Sequence, residues 1–313
     1  MSAPPRGRFR PAPQAGLAVW TTTELSPADW MVPVGAEDAA ELEAALAALQ
    51  GRAPGSPGEV ALPRLALALG NVAARLDTGR GFVVLRGLPF DRHGPAAAEA
   101  ALLALGAHLG TALPGEPGDA GPITRLTSPV DESWGSTAGP PRFHADACDV
   151  VALLCLASAP GCPPTVLVSA GAVHNEVMRR DRAALEELYR PVPLMEGERV
   201  VEGAVFRVIG GAFSGRYTRD AIEAAAASAL PGAPPPPAGL RPALDLLDQV
   251  SADPALALRL ETRPGDLLCF NPHLVWKRRS LEPAAGDAPP APQEFRRLRL
   301  ATRTSRTAPA EAA

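Results

Sequence analysis

The second half of this chain is broken into apolar segments too short to be core helices, each closed by glycine, proline or polar residues. They fall at 150–156, 165–169, 205–209, 256–261, 266–270 running on toward 276, and 297–302. Short apolar runs bounded by turn formers read as buried strands. The first half reads differently. Residues 37–49 and 62–76 follow a helical period, the second stopped by Gly79 and Gly81, and 96–109 is an alanine-rich helix. Segments 81–88 and 122–127 are isolated strands, and a polar loop at 128–142 follows the second. Helical stretches at 172–189, with a break near Asp181, and near 240–250 interrupt the later strands. The proline-rich 231–239 is a surface loop rather than a linker, because strand signals resume after it. No internal repeat is present. This order predicts a mainly β fold with helical decoration, as in a double-sheet jelly roll. The expected organisation is an N-terminal tail at 1–15, a single domain over 16–304 and a C-terminal tail at 305–313.

At 313 residues, with 46% hydrophobic and 20% charged residues, the chain has the balance of a soluble globular protein with a substantial core. A net charge of −4 gives no reason to expect nucleic acid or an anionic membrane as partner. Residues 1–14 carry no apolar core of signal-peptide length, and no stretch approaches the roughly 18 apolar residues of a membrane span. Cys148, Cys155, Cys162 and Cys269 form no CxxC pair, so they read as free thiols of a cytoplasmic protein. A small-molecule substrate is the expected partner.

The chemistry starts at Phe143-His144-Ala145-Asp146. In a strand, residues i and i+2 project from one face, so His144 and Asp146 can address one atom. With a second histidine from a distant strand they would make the 2-His-1-carboxylate facial triad of non-haem Fe(II) oxygenases. By itself the tripeptide also fits a histidine hydrogen-bonded to an exposed aspartate.

Its surroundings favour the metal. His144 to Leu156 (HADACDVVALLCL) resembles the metal-site segment of the TauD/TfdA-like 2-oxoglutarate-dependent dioxygenases. Gly79 to Pro89 (GRGFVVLRGLP) is similar to an early strand of that family, Val168 to Glu176 (VSAGAVHNE) to its following helix start, and Pro264-Gly265-Asp266 to the turn entering its last ligand strand. The resemblance implies a double-stranded β-helix (jelly roll), Fe(II), and 2-oxoglutarate as co-substrate for hydroxylase-type oxidation of a small molecule. Residue by residue, it places His144 and Asp146 on two metal ligands and Thr165 near a hydroxyl that helps hold the 2-oxoglutarate carboxylate. Arg299 falls on the arginine that grips the distal carboxylate, a bidentate pairing that suits a guanidinium. Arg297 is either a second co-substrate contact or part of a solvated face, and Arg296 is expected on the solvated face. Arg279 matches an arginine two residues after the last ligand, and a structural ion pair explains it equally well.

Two positions depart from the family. Cys162-Pro163-Pro164 replaces a glycine pair before Thr165, and Lys277 stands where the last ligand histidine is expected. Lys277 is the only lysine among the 30 Lys+Arg residues. As an ammonium it cannot bind a metal. As a neutral amine it could, if burial lowered its pKa far enough. It could also supply, beside Asp146, the positive charge of an absent cation, or reflect drift. His273, four residues earlier, would reach the site only through a bulge or register slip, and is expected at the strand entrance near solvent. His93, His108 and His174 have no ligand spacing. Two functions follow: an Fe(II)- and 2-oxoglutarate-dependent dioxygenase with an atypical metal site, or, on the same scaffold, a metal-free binding or regulatory protein or an enzyme using Lys277.

Overall fold

The structure, a computed structural model, describes residues 11–49, 54, 59–90, 94–127, 142–159, 162–197, 199–228, 237–280 and 293–303. The expected tail segments 1–10 and 305–313, His93, and most of the loop 128–142 lie outside them.

In chain order the helices are α1 (Pro27–Trp30), α2 (Ala36–Ala48), α3 (Pro63–Thr78), α4 (Gly94–Ala107), α5 (Ala170–Arg180), α6 (Arg182–Leu188), α7 (Arg219–Ala227) and α8 (Leu240–Ser251). The strands are β1 (Met31–Pro33), β2 (Phe82–Arg86), β3 (Thr111–Ala112), β4 (Ile123–Thr127), β5 (Val150–Ala157), β6 (Thr165–Ser169), β7 (Val192–Glu196), β8 (Arg199–Gly203), β9 (Phe206–Ile209), β10 (Ala212–Gly215), β11 (Ala257–Leu260), β12 (Leu267–Phe270), β13 (Val275–Arg279) and β14 (Glu294–Ala301). A large sheet runs β1-β2-β12-β5-β14, and β3 and β4 both pair with the far side of β14. A smaller sheet runs β11-β6-β13, and β7-β8 and β9-β10 form separate two-stranded hairpins. This is the sheet-rich, helix-decorated jelly-roll class, with open sheets rather than a closed barrel.

Period-2 alternation sorts the side chains into three layers. Phe82, Val84, Val151, Leu153, Cys155, Leu268, Phe270 and Phe295 of the large sheet face Leu167, Leu260 and Val275 of the small one. Their alternates Val83, Leu85, Ala152, Leu154, Cys269, Leu298 and Leu300 face outward under α3 and α4. The outward residues of the small sheet, Val166, Val168 and Trp276, lie under α5, α6 and α8. Strands covered on both faces read as continuous apolar runs, which is why β2, β5 and β12 stand out in the sequence.

Several boundaries differ from the expected ones. The expected continuous strand at 266–276 is two strands in two different sheets. Pro272 has no N–H to give a ladder, the Asn271 side chain accepts from the His273 N–H, and the N–H groups of Leu274 and Val275 both donate to the Asn271 carbonyl. The chain turns there and crosses from one sheet to the other. β14 starts at Glu294 instead of 297, because its arginines hide a strand that is nonetheless paired on both sides. The hairpin β9-β10 turns through Gly210 and Gly211 with φ of 57° and 84°, a two-residue loop in the left-handed region that glycine enters freely. Among the described residues, no helix is long and apolar enough to cross a membrane.

The turn entering β12 is fixed electrostatically. Arg86 donates from Nε and Nη2 to the two Asp266 oxygens at 2.9 and 2.7 Å, and the Arg263 N–H donates to the same carboxylate. Gly265 has φ +86°, and a Cβ there would lie 2.5 Å from the Leu88 carbonyl oxygen. Asp266→Ala strands a half-buried guanidinium and should lower the unfolding free energy by about 3 kcal/mol. A urea titration of the variant against wild type measures it.

Candidate active site between the two sheets

The His144 segment is stitched to both of its neighbours through backbone. His144 N–H donates to the Lys277 carbonyl at 3.0 Å, and Lys277 N–H donates back to the His144 carbonyl at 3.1 Å. Ala145 N–H donates to the Tyr217 carbonyl, and the Thr218 hydroxyl donates to the Ala145 carbonyl. On the outer side Arg278 lies over the Phe143 ring at 5.2 Å, and Trp276 packs on Tyr217 while its indole N–H donates to the Gly215 carbonyl. The register is therefore set by residues that never enter the site.

Alternation then dictates what points inward. Val275 faces the interior and Trp276 faces out, so Lys277 and Arg279 share the inner face of β13. Phe295 faces in and Leu298 out, which puts Arg297 and Arg299 on the inner face of β14. Thr165 shares the inner face of β6 with Leu167 and pairs across the ladder with Arg279, as Leu167 does with Lys277. Lys277 is 2% exposed and Thr165 8%. A lone lysine this deeply buried is not a surface residue.

His144 Nδ1–H donates to the Arg142 carbonyl at 3.2 Å, which leaves Nε2 with the lone pair. Burial first, then the charge of Lys277, brings its pKa down to about 4, so the ring is a neutral imidazole at pH 7. Asp146 Oδ1 accepts from Arg297 Nη1 at 3.0 Å, while Oδ2 is buried with no hydrogen-bond partner. Burial pushes the Asp146 pKa up, but Arg297, Lys277 and His144 together outweigh it and hold the carboxyl below its usual range. Burial brings the Lys277 ammonium down to about 8, opposed by Asp146 and reinforced by Arg297 and Arg279.

The arginines divide their work. Arg297 bridges Asp146 and Glu116, its Nη2 reaching Glu116 Oε1 at 2.5 Å, and its Nε is buried without an acceptor. Arg299 donates from Nη2 to the Pro114 and Gly115 carbonyls, and its Nη1 lies 3.3 Å from Glu116. Arg279 donates to Gln293. Arg296 is not on a solvated face: it is 3% exposed and ion-paired with Glu99 and Glu294, because its side of β14 lies under α4. Glu116 sits in a Pro- and Gly-rich loop with no motif to mark it in the sequence.

His273 is not near solvent either. It is 3% exposed, with Nδ1 2.9 Å from Ser214 Oγ and Nε2 3.3 Å from Asp149 Oδ1, and the second Asp149 oxygen accepts from the Thr302 N–H. The turn at Pro272 is what carries it away from the β13 face and into this cluster. The cluster borders a cleft of about 280 Å³ lined by Leu76, Asp77, Leu109, Asp149, Asn271 and His273 among others. Val150 lines that cleft from the outer face of β5, so it is separate from the site at Asp146. His174 is buried on α5, bonded to Tyr189 and Asn175. Among the described residues, no three His, Cys, Asp or Glu side chains gather as a metal-binding group. His273→Leu leaves the buried Ser214 and Asp149 without this partner, and a denaturation curve should register a loss of about 2 kcal/mol or more.

A family model described as taurine catabolism dioxygenase TauD, TfdA family matches residues 46–298. Among curated proteins none matches the sequence. By structure, the chain is similar to an asparagine oxygenase solved in complex with Fe(II), 2S,3S-3-hydroxyasparagine and succinate, with TM-score 0.65, 19% identity, and coverage of 87% of this chain and 94% of that one. It is also similar to the non-haem iron oxygenase OrfP in complex with Fe and L-homoarginine, with TM-score 0.61, 17% identity, and coverage of 87% and 94%.

Proposed function

The chain belongs to the taurine catabolism dioxygenase TauD, TfdA family, and from that premise we propose that it is an Fe(II)- and 2-oxoglutarate-dependent oxygenase of a small molecule with an atypical metal site. The observation that carries this reading is the half-site at His144 and Asp146. A neutral imidazole with Nδ1 tied to a carbonyl and a buried carboxylate oxygen without a donor are what an oxygenase iron requires of two of its ligands. His144 and Asp146 would hold the metal, and bound iron with 2-oxoglutarate would supply the oxidising equivalent. Arg299, with Arg297 beside it, binds the distal carboxylate of the co-substrate, and the Thr165 hydroxyl, opposite Arg279 at the other end of the interior, is assigned to the remainder of the co-substrate. The layers of Phe82, Val151, Leu153 and Phe295 exclude water from that interior. The substrate is a small molecule of the kind the similar oxygenases take, which include asparagine and arginine derivatives.

Lys277 favours a second reading. It is buried at the position expected for the third ligand, paired through backbone with His144; in this reading its ammonium replaces the cation, and the scaffold serves as a metal-free binding protein or an enzyme using that amine. Anaerobic Fe(II) titration separates the two. Under the oxygenase reading, one Fe(II) binds per chain and His144→Ala abolishes binding. Restoring an imidazole with Lys277→His should tighten it by more than the roughly 10- to 100-fold that an outer-sphere change alone produces. Wild type that takes up no Fe(II) overturns that reading.

Arg299→Ala removes a charge-assisted, two-point contact worth about 2–3 kcal/mol, so 2-oxoglutarate should bind about 30- to 150-fold more weakly by calorimetry. An unchanged dissociation constant, with the loss appearing in Arg297→Ala instead, transfers the role to Arg297.

A further inference from the structure

The hairpin β9-β10 carries a half-buried guanidinium to the flank of the site. Arg207 and Ser214 are ladder partners, so their side chains leave the same face of the hairpin. The opposite face is apolar, with Phe206 stacked on Phe213 and Trp276. Beyond β10 the Arg216 N–H donates to the Val205 carbonyl and prolongs the ladder. Gly215 and Tyr217 pack against Trp276, so the alternate residues Ser214, Arg216 and Thr218 lie on the face of Arg207.

This face looks onto the two segments that build the half-site. At one end the Ser214 hydroxyl lies 2.9 Å from His273 Nδ1, in the turn that leads into β13. At the other the Thr218 hydroxyl donates to the carbonyl of Ala145, between His144 and Asp146. Arg216, in the same row, is paired with Glu196 at the end of β7. Arg207 differs: among the described residues, its buried Nε has no hydrogen-bond partner. Burial, then the charge of Arg216, lowers its pKa, opposed by Glu196. A buried donor without an acceptor is costly and uncommon in a folded protein. Two guanidiniums beside one carboxylate, with the Nε edge of Arg207 turned away from water, suit one planar anionic group bound side-on.

We propose that Arg207, with Arg216 beside it, binds a carboxylate group of the substrate, at a subsite on the hairpin separate from the β14 arginines. The proposal rests on the oxygenase reading and names the class of its substrate, a small organic acid. Arg207 is then a specificity residue that selects an acid over the corresponding amide.

Ligand-detected NMR titration of the full-length protein tests it, with butyrate as probe, butyramide as its neutral isostere and butyl phosphate as a bulkier anion. Butyrate should bind at least about tenfold tighter than butyramide and tighter than butyl phosphate, and Arg207→Gln should weaken it about 10- to 150-fold. Butyrate binding that is unchanged in Arg207→Gln, or lost only in Arg299→Ala, overturns the proposal. So does butyramide or butyl phosphate binding as tightly as butyrate. With Mn(II) added as a paramagnetic replacement for Fe(II), the butyrate protons should relax faster. Mn(II) that binds without this enhancement puts the anion away from the half-site and overturns its assignment to the substrate. A wild type that takes up no metal yet binds butyrate through Arg207 removes the oxygenase reading and keeps the carboxylate subsite. Metal uptake with butyrate indifferent to Arg207 does the reverse. If Arg207→Gln does not fold, the wild-type comparison and the relaxation data decide.

Discussion

The reciprocal pair of backbone hydrogen bonds between His144 and Lys277 is the joint on which the site depends. The two residues are far apart in sequence, and β5, which follows His144, does not pair with β13, which contains Lys277. The joint fixes β13 in register against the segment that leads into β5, which brings the charges of Lys277 and Asp146 close enough to act on His144 and on each other. Its own geometry is secured from outside, by Arg278 over Phe143, by Tyr217 and Thr218 on Ala145, and by the Trp276 indole. Packing on the outer face thus decides chemistry on the inner one, and a substitution at Trp276 or Tyr217 acts on the site without touching it.

Around that joint, strand alternation is the sorting rule. A one-residue slip in β13 would bury Arg278 between the sheets and turn Lys277 out beneath α5. The apolar wall makes this prohibitive, because Val275 and Trp276 would exchange the environments to which their sizes are matched. The same rule places three consecutive levels of β14 inside, Phe295, Arg297 and Arg299, while Arg296 is taken by Glu99 on the other side. Neighbouring arginines of one strand therefore have unrelated roles, and the reason is geometric.

What the sequence made legible follows from these physics. Strands buried on both faces announce themselves: β2, β5 and β6 are readable nearly to the residue, and β12 at its start but not at its end. His144 and Asp146 stand out in the sequence because two residues in an i, i+2 relation need no tertiary information to share a face; that they hold a metal is the proposal above. Arg296 and His273 were misread because their burial depends on partners distant in sequence. Glu99 comes from α4, while Asp149 and Ser214 come from β-sheet termini far from Pro272. A proline-containing turn that moves the chain between sheets looks, residue by residue, like the entrance to a strand. Glu116 had no signal at all, since a carboxylate in a Pro- and Gly-rich loop is ordinary until the arginines it pairs with are known.

The ion pairs inside the site also limit what can enter it. Arg297 is engaged at both ends, by Asp146 Oδ1 and by Glu116, and Arg299 leans on Glu116 as well. A guest that recruits these guanidiniums has to displace a carboxylate, and the two differ in how easily they leave. The Asp146 side chain is 6% exposed on a segment pinned by backbone on both sides, whereas that of Glu116 is 37% exposed on a loop between Pro114 and Pro117. Glu116 can exchange its partner for water at little cost, and Asp146 cannot. Release of Glu116 leaves the Asp146–Arg297 contact in place and frees Arg297 Nη2 and Arg299 Nη1. The most exposed charge of the cluster is thus the one most easily released, while the buried Asp146–Arg297 pair stays organised.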